Sequence, residues 1–233
     1  IRLTAEEMGI ELEYLPFHKV AISYGNKGFT YRSLGKNYSE TLDDIRIILN
    51  RTQSKSRRIS AAALFEAWDK HILNPLSVEL LCASKMRTLL SFIREGIKVP
   101  TTVYVPSNAH EIGTGGRTLE NSVVISKLIV RELGDGRVVL KPDAGTHGKD
   151  VKLAINQEEL EEMITLLKPS IINPTGVMAQ EFIPKGFYDL RIVVEKEKGG
   201  MGFCHPTAMA RGGFKDFRTN TYLGNMVFRV KLP

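Results

Sequence analysis

Apolar and polar positions change period repeatedly along the chain, and the changes mark its elements. Ile1–Met8 has helical spacing and is stopped by Gly9, after which a strand is expected at Glu11–Leu15. Val20–Tyr24 and Gly28–Tyr31 alternate around Gly25-Asn26, predicting a small hairpin. Ile45–Leu49 reads as another strand and empties into the polar run 50–58. Ile59, Ala62, Ala63, Phe65 and Trp68 then fall near helical spacing. Asn74-Pro75 marks a turn, and the stretch Leu76–Cys82 behind it is short, Pro75 suiting the start of a helix. Ser84 is a suitable N-cap for a helix over Lys85–Glu95, with Leu89, Leu90, Phe92 and Ile93 apolar and Gly96 as its stop.

Ile97–Val105 is strand-like and opens onto a polar, glycine-rich stretch at 107–117. Leu119–Leu133 returns to helical spacing, with Val124, Leu128, Val130 and Leu133 as core candidates. Val138, Val139 and Leu140 predict a short buried strand that delivers Lys141; Pro142, lacking an N–H, ends its ladder. The loop 143–149 leads to a second strand, Val151–Ala154. Asn156 with Glu159 signals a helix start, and Leu160, Met163, Ile164 and Leu167 form its apolar stripe. From 119 to 168 the order is therefore helix–strand–loop–strand–helix, a lid-like unit with the loop at its tip. Val177–Ile183 is a further strand, and Leu190, Ile192 and Val194 alternate in another. Alternation of helix and strand predicts an α/β fold with an open sheet, in which ligands bind beyond the carboxyl ends of strands.

Composition adds bounds. At 233 residues the chain can bury a sizeable core in two or three units. A net charge of +6 favours anionic partners without demanding nucleic acid. No apolar run reaches the ~18 residues of a membrane span. Cys82 and Cys204 offer no disulfide framework, so a cytoplasmic protein is expected.

The candidate chemistry is cationic. In the loop 143–149, Gly145 and Gly148 could turn backbone N–H groups toward an anion, with Lys141 and Lys149 at its ends. It lacks the Walker A spacing and runs into a strand, and an ordinary glycine-rich hairpin fits the residues equally well. Lys85, in the first turn of its helix where the dipole disfavours a cation, is either solvated or turned toward a negative ligand. Four cations in 50–58, Arg51 and Arg57 among them, could hold an acidic substrate or simply start a charged helix. Asp189 and Arg191 share one sheet face; such a pair can be only a surface ion pair, worth little. Arg191, Arg211 and Arg218 nevertheless recur on successive apolar stretches flanked by Gly212, Gly213 and Gly224. The five histidines show no metal-ligand spacing, and His147 reads as a loop-tip residue.

In order and spacing, Lys85, Lys141-Pro142, the glycine loop, Gln180-Glu181-Phe182-Ile183, Asp189-Leu190-Arg191, Arg211 and Arg218-Thr219-Asn220 resemble the ATP-grasp superfamily. Nearest is its RimK-like carboxylate–amine ligase group, which includes RimK, LysX and archaeal coenzyme glutamate ligases; bacterial glutathione synthetase is similar at the same positions. The resemblance implies a pre-ATP-grasp α/β domain with a connecting helix at 1–96, an ATP-grasp lid subdomain at 97–180 and the first part of the carboxyl-terminal subdomain at 181–233. It implies ATP and Mg²⁺ as cofactors. Lys85, Lys141, Gly145, Thr146, His147, Gly148 and Lys149 would hold or cover the phosphates. Gln180, Glu181, Phe182 and Ile183 would meet the adenine edge, and Asp189 the ribose. Arg191 and Arg211 would be catalytic, facing the transferred phosphoryl group. Arg218, Asn220, Arg51 and Arg57 would face substrate, with no metal ligand assigned.

The implied partners are a small acidic substrate and an amino acid, with no nucleic acid and no membrane, and a homo-oligomer left open. A ligase of this kind forms an amide through an acyl phosphate, glutamate being the expected amine donor. The alternatives are a nucleotide-binding relic without turnover and a nucleic-acid binder; the basic run 50–58 lacks the aromatics that the second needs. One departure concerns the metal: the resembled family places an aspartate and a Glu-x-Asn pair after the Arg-Thr-Asn segment, whereas 221–233 contain no carboxylate. A truncated chain, inactive as it stands, is therefore expected.

Overall fold

A computed structural model describes residues 2–106, 109–110, 118–134, 136–145, 148–167, 176–184, 186, 188–196, 200, 202–212 and 217–231. The chain forms two compact units, Ile1–Ala83 and Ser84–Pro233.

In the first unit, α1 (Arg2–Glu7) precedes the hairpin β1 (Ala21–Gly25) and β2 (Gly28–Arg32), paired from Ala21↔Arg32 to Gly25↔Gly28. Then come α2 (Ser39–Asp44), β3 (Ile47–Leu49), α3 (Lys55–Ala67), β4 (His71–Leu73) and α4 (Leu76–Ala83). The helix–strand alternation is realised as one βαβ unit: β3 and β4 are parallel, and α3 crosses between them. Tyr31, Leu42, Ile48, Ala61, Ala62, Phe65 and Ile72 form the core. The expected strand at Glu11–Leu15 is irregular chain instead. Leu12 and Tyr14 on one alternate set and Glu11 and Glu13 on the other are all exposed, so neither face has burial to hold it flat.

The second unit starts with α5 (Lys85–Arg94), followed by β5 (Thr102–Val105), α6 (Thr118–Leu133), β6 (Val138–Lys141), β7 (Lys152–Ala154), α7 (Gln157–Leu166) and β8 (Val177–Glu181). An antiparallel sheet of order β5-β8-β6-β7 carries α6 and α7 over a core of Ile125, Ile129, Val138, Leu140, Leu160, Ile164, Val177 and Ala179. The capping signal forms: the Asn156 side chain accepts the Glu159 N–H at 2.8 Å, while the Glu159 carboxylate reaches the Ile155 N–H. On α6 the expected core face is met in part: Val130 and Leu133 pack against this core. Val124 and Leu128 are exposed, whereas Ile125 and Ile129, with Ser122 and Ser126, are buried. The helix has apolar residues on most of its circumference, so periodicity leaves two faces in competition. Packing against α7 selects the one on which Ser126 donates to Glu161 Oε1.

The remaining described elements are mostly strands. The stretch Tyr188-Asp189-Leu190-Arg191-Ile192-Val193-Val194 breaks into β9 (Tyr188–Arg191) and β10 (Val194–Lys196). After β11 (Gly202–Cys204) come β12 (Thr207–Gly212), a 3₁₀ turn at Thr221–Leu223 and β13 (Met226–Lys231). β9, β12 and β13 form an antiparallel sheet with Arg211 opposite Asp189 and Met209 opposite Arg191. Cys82 and Cys204 are free thiols. Among the described residues, no helix is long and apolar enough to cross a membrane.

Candidate nucleotide site

The site is assembled where the N-terminus of α5 meets the chain leaving β6. The Ser84 hydroxyl accepts the Arg87 N–H at 3.1 Å, capping the helix, and donates to Asp143 Oδ1 at 2.9 Å. The same carboxylate oxygen accepts the Met86 N–H at 2.8 Å, and the Asp143 carbonyl accepts the Lys85 N–H at 3.0 Å. Donors that a helix start leaves open are thereby satisfied by a residue 57 positions away, and an anion there suits the dipole. Asp143, which sequence reading passed over, thus ties the glycine loop to α5. Its signal was its place directly after the Pro142 that ends a strand.

Lys85 is held in this joint, donating to the carbonyls of Pro142 and Asp143 at 2.8 and 3.2 Å. Lys141 differs. It ends β6 half-buried, and no described residue gives its ammonium a hydrogen bond or an ion pair. Burial alone pushes its pKa below the ordinary lysine value. A desolvated cation without a counter-charge is costly unless an anion joins it.

The loop continues with Gly145, at φ +147°, where a Cβ would lie 3.4 Å from Pro142 Cγ and 4.0 Å from Lys85 Nζ. Thr146 and His147 lie outside the described residues. Gly148 is at φ +72°, and a Cβ there would come within 2.7 Å of Asn220 Oδ1. Its carbonyl accepts from Arg218 Nη1 at 3.1 Å, so the glycine loop meets the Arg218-Thr219-Asn220 segment directly. The Asn225 amide, unremarked in the sequence, holds that segment through the carbonyls of Arg218 and Asn220. Lys149 is exposed.

At the end of β8, side chains serve the sheet. Buried Gln180 donates to Thr102 Oγ1 at 2.7 Å, and Glu181 accepts from the Thr101 N–H and hydroxyl. Beyond the ladder, the Phe182 N–H donates to the Arg137 carbonyl. The Phe182 ring stands edge-on to Phe217 at 6.3 Å, with the Arg137 guanidinium 5.7 Å from its centroid. Ile183 is exposed.

Asp189 has a cross-strand partner. Its carboxylate takes Arg211 in a fork, Nε to Oδ1 at 3.0 Å and Nη2 to Oδ2 at 2.8 Å, and also accepts the Thr219 hydroxyl on Oδ2. With the Arg211 side chain only 16% exposed, this is no solvated surface pair. Arg191 is exposed on the same face of β9 as Asp189. Arg51 and Arg57 belong to the first unit, both exposed, with guanidinium groups that no described residue engages. Their neighbour Arg58 is instead a clamp between α3 and α4, bound to buried Glu79 at 3.0 Å. Among the described residues, no group of three or more His, Cys, Asp or Glu could hold a metal ion.

Half-buried Lys141, the glycine loop and the arginine-bearing sheet occupy one continuous match: the model of the RimK-like ATP-grasp domain fits residues 83–233. The chain belongs to the RimK-like ATP-grasp family. Two relatives are each an alpha-aminoadipate–LysW ligase LysX. That of Sulfolobus acidocaldarius is 26% identical over 200 residues, covering 85% of this chain and 64% of the relative. That of Sulfurisphaera tokodaii is 25% identical over 231 residues, covering 97% and 72%. This ATP-grasp chain thus spans about two thirds of the relatives' length. In fold it is similar to a RimK-domain ATP-grasp protein from Sphaerobacter thermophilus (TM-score 0.56, 19% identity, covering 92% of this chain and 81% of that one). It is also similar to D-alanine–D-alanine ligase from Bacillus anthracis complexed with ATP (TM-score 0.53, 15% identity, covering 84% and 56%).

Proposed function

We propose that the full-length protein is an ATP-dependent carboxylate–amine ligase that adds an amino acid, glutamate by preference, to a small acidic acceptor. The observation that carries this reading is Lys141: a half-buried ammonium with no protein partner among the described residues, at the mouth of a glycine loop in a RimK-like domain. A polyphosphate would supply the missing charge.

In the proposed reaction a carboxylate oxygen attacks the γ-phosphorus of ATP and the bond to ADP breaks. The amine then attacks the acyl phosphate, and phosphate leaves as the amide forms. Charge grows on phosphoryl and carbonyl oxygens in both steps, and fixed cations lower the barrier. Lys141 and Lys85 would hold the phosphates, the backbone around Gly145–Gly148 would cover them, and the chain at Glu181–Ile183 would meet the base. Arg191 and Arg211 would face the transferred phosphoryl group. Arg218 and Asn220 would face the acidic substrate, for which Arg51 and Arg57 are further candidate cations. In this reading 97–180 is the lid subdomain and 181 opens the carboxyl-terminal one. Mg²⁺ would come with ATP, but the described residues offer it no ligand cluster.

The named activity of both LysX relatives supports a second reading, in which one substrate is a protein. A phosphate-release assay on the full-length protein, with amino acids crossed against carboxylates, tests the first. Glutamate-dependent release with a small carboxylate is expected. Turnover with neutral or basic amino acids but none with glutamate or aspartate would sink the acidic-donor assignment, and turnover only with a protein acceptor would favour the second reading.

A further inference from the structure

Thr219 lies between two residues assigned to substrate, yet it is buried at 6% exposure and its hydroxyl turns the other way, donating to Asp189 Oδ2. Asp189 Oδ1 and Oδ2 in turn receive Arg211 Nε and Nη2 at 3.0 and 2.8 Å. A carboxylate offers about four acceptor positions, and these bonds occupy three of them. At most one is left for a ribose hydroxyl. Arg211, gripped along one edge, keeps Nη1 without a partner among the described residues. A guanidinium fixed in this way presents its remaining donors in one plane and one direction, which a free arginine does not.

We infer that Thr219 is a positioning residue: it orients Asp189, Asp189 orients Arg211, and of these three Arg211 alone touches the terminal phosphoryl group of the nucleotide. The inference rests on the nucleotide reading above and changes the part played by Asp189 within it, from ribose acceptor to support for the arginine. The order of the chain explains the arrangement. Arg211 and Asp189 are cross-strand partners on β12 and β9, and Thr219 arrives from the segment that leaves β12, so one short excursion closes the network. A hydroxyl at 219 lets a substrate-bearing segment set an arginine on the adjacent sheet.

The test compares ATP with ADP by calorimetry on the full-length protein. ADP carries the ribose but not the terminal phosphoryl group, so the two roles of Asp189 separate. Thr219→Val, which keeps the shape and removes the hydroxyl, should weaken ATP about tenfold while leaving ADP within about twofold. Thr219→Ser should restore ATP affinity, and Thr219→Val should add nothing further in an Arg211→Lys background. Retained ADP binding shows that the variant is folded. Equal weakening of ADP would return Asp189 to the ribose and overturn the inference, as would additive losses in the double variant. A wild type that binds neither nucleotide would instead remove the nucleotide reading itself, and the inference with it.

Discussion

Lys141 is the side chain on which the proposed phosphate site rests most directly. Three other cations in the second unit have protein partners: Lys85 holds carbonyls, Arg218 holds Gly148 and Arg211 holds Asp189. Lys141 has burial without compensation, so its removal should cost binding and not the fold. A charged hydrogen bond is worth about 1.5–3 kcal/mol, and Lys141→Ala should therefore weaken ATP at least about tenfold, with an unchanged unfolding transition. Calorimetry giving equal affinities would take Lys141 out of the site. Its titration offers a second check. A lysine depressed in the folded state sheds its proton earlier there, so it penalises folding at low pH and the penalty fades as pH rises through the depressed value toward 10.5. A bound phosphate reverses the depression, so ATP binding in that window should take up protons. Lys141→Arg, which does not titrate there, should bind without uptake; heats independent of buffer in the wild type would contradict this. Tyr31 is the opposite case. Its buried hydroxyl has no partner among the described residues, burial pushes the phenol up, and the ring stacks on Phe65 at 5.9 Å. Because an unsatisfied buried hydroxyl only costs, Tyr31→Phe should leave stability unchanged or raise it by up to about 1 kcal/mol in urea unfolding. A loss of more than that would mean that the hydroxyl has a partner after all.

At the scale of elements, local signals were readable wherever one face or one cap decides the outcome. The hairpin at Gly25, the caps at Ser84 and Asn156 and the Leu160–Ile164 stripe all form, because each depends on residues within a turn or two of sequence. The face of α6 was readable only in part: Val130 and Leu133 pack as expected, but Val124 and Ile125 are both apolar and only packing in the folded unit distinguishes them. The glycine loop was readable as a loop, but its neighbours were not: Asp143 reaches Ser84, and Gly148 reaches Asn220, across spacings that no local pattern reports. That second contact predicts a specific defect. Gly148→Ala puts a side chain at positive φ, costing about 1–2 kcal/mol, and sets a Cβ 2.7 Å from Asn220 Oδ1. Asn220→Ala removes the obstructing oxygen, so the Gly148→Ala loss should shrink in that background. The same loss in both backgrounds, measured by denaturant unfolding, would mean that the loop does not rest on Asn220.

For the whole molecule, the family resemblance was readable over a long stretch because its residues keep their order: Lys85, Lys141, Glu181, Asp189, Arg211 and Arg218 all fall in the second unit and within the family match at 83–233. What the linear order could not reveal is which of them answer to each other; Asp189 and Arg211 are 22 positions apart and meet only through strand pairing. The two units also differ in kind. The first has an aromatic core in which Phe29 stacks on Trp68 at 5.2 Å and Phe65 on Tyr31, and two of its exposed cations, Arg51 and Arg57, stand on a loop and a helix start. The second carries the half-buried Lys141 and the arginine-bearing sheet. If the nucleotide reading holds, ATP should stabilise the unit that contains its partners, since a ligand slows only those openings that would release it. Hydrogen exchange on the full-length protein should show slowing by ATP at 85–94, 138–145, 177–183 and 211–220, with amides of the first unit keeping their rates. Adding the acidic amino acid to the ATP complex should then slow 218–220 further, because Arg218 and Asn220 are the proposed contacts. Slowing that is equally strong throughout the first unit with ATP alone would place nucleotide partners there, and the assignment of the phosphate site to Lys85 and Lys141 would fall.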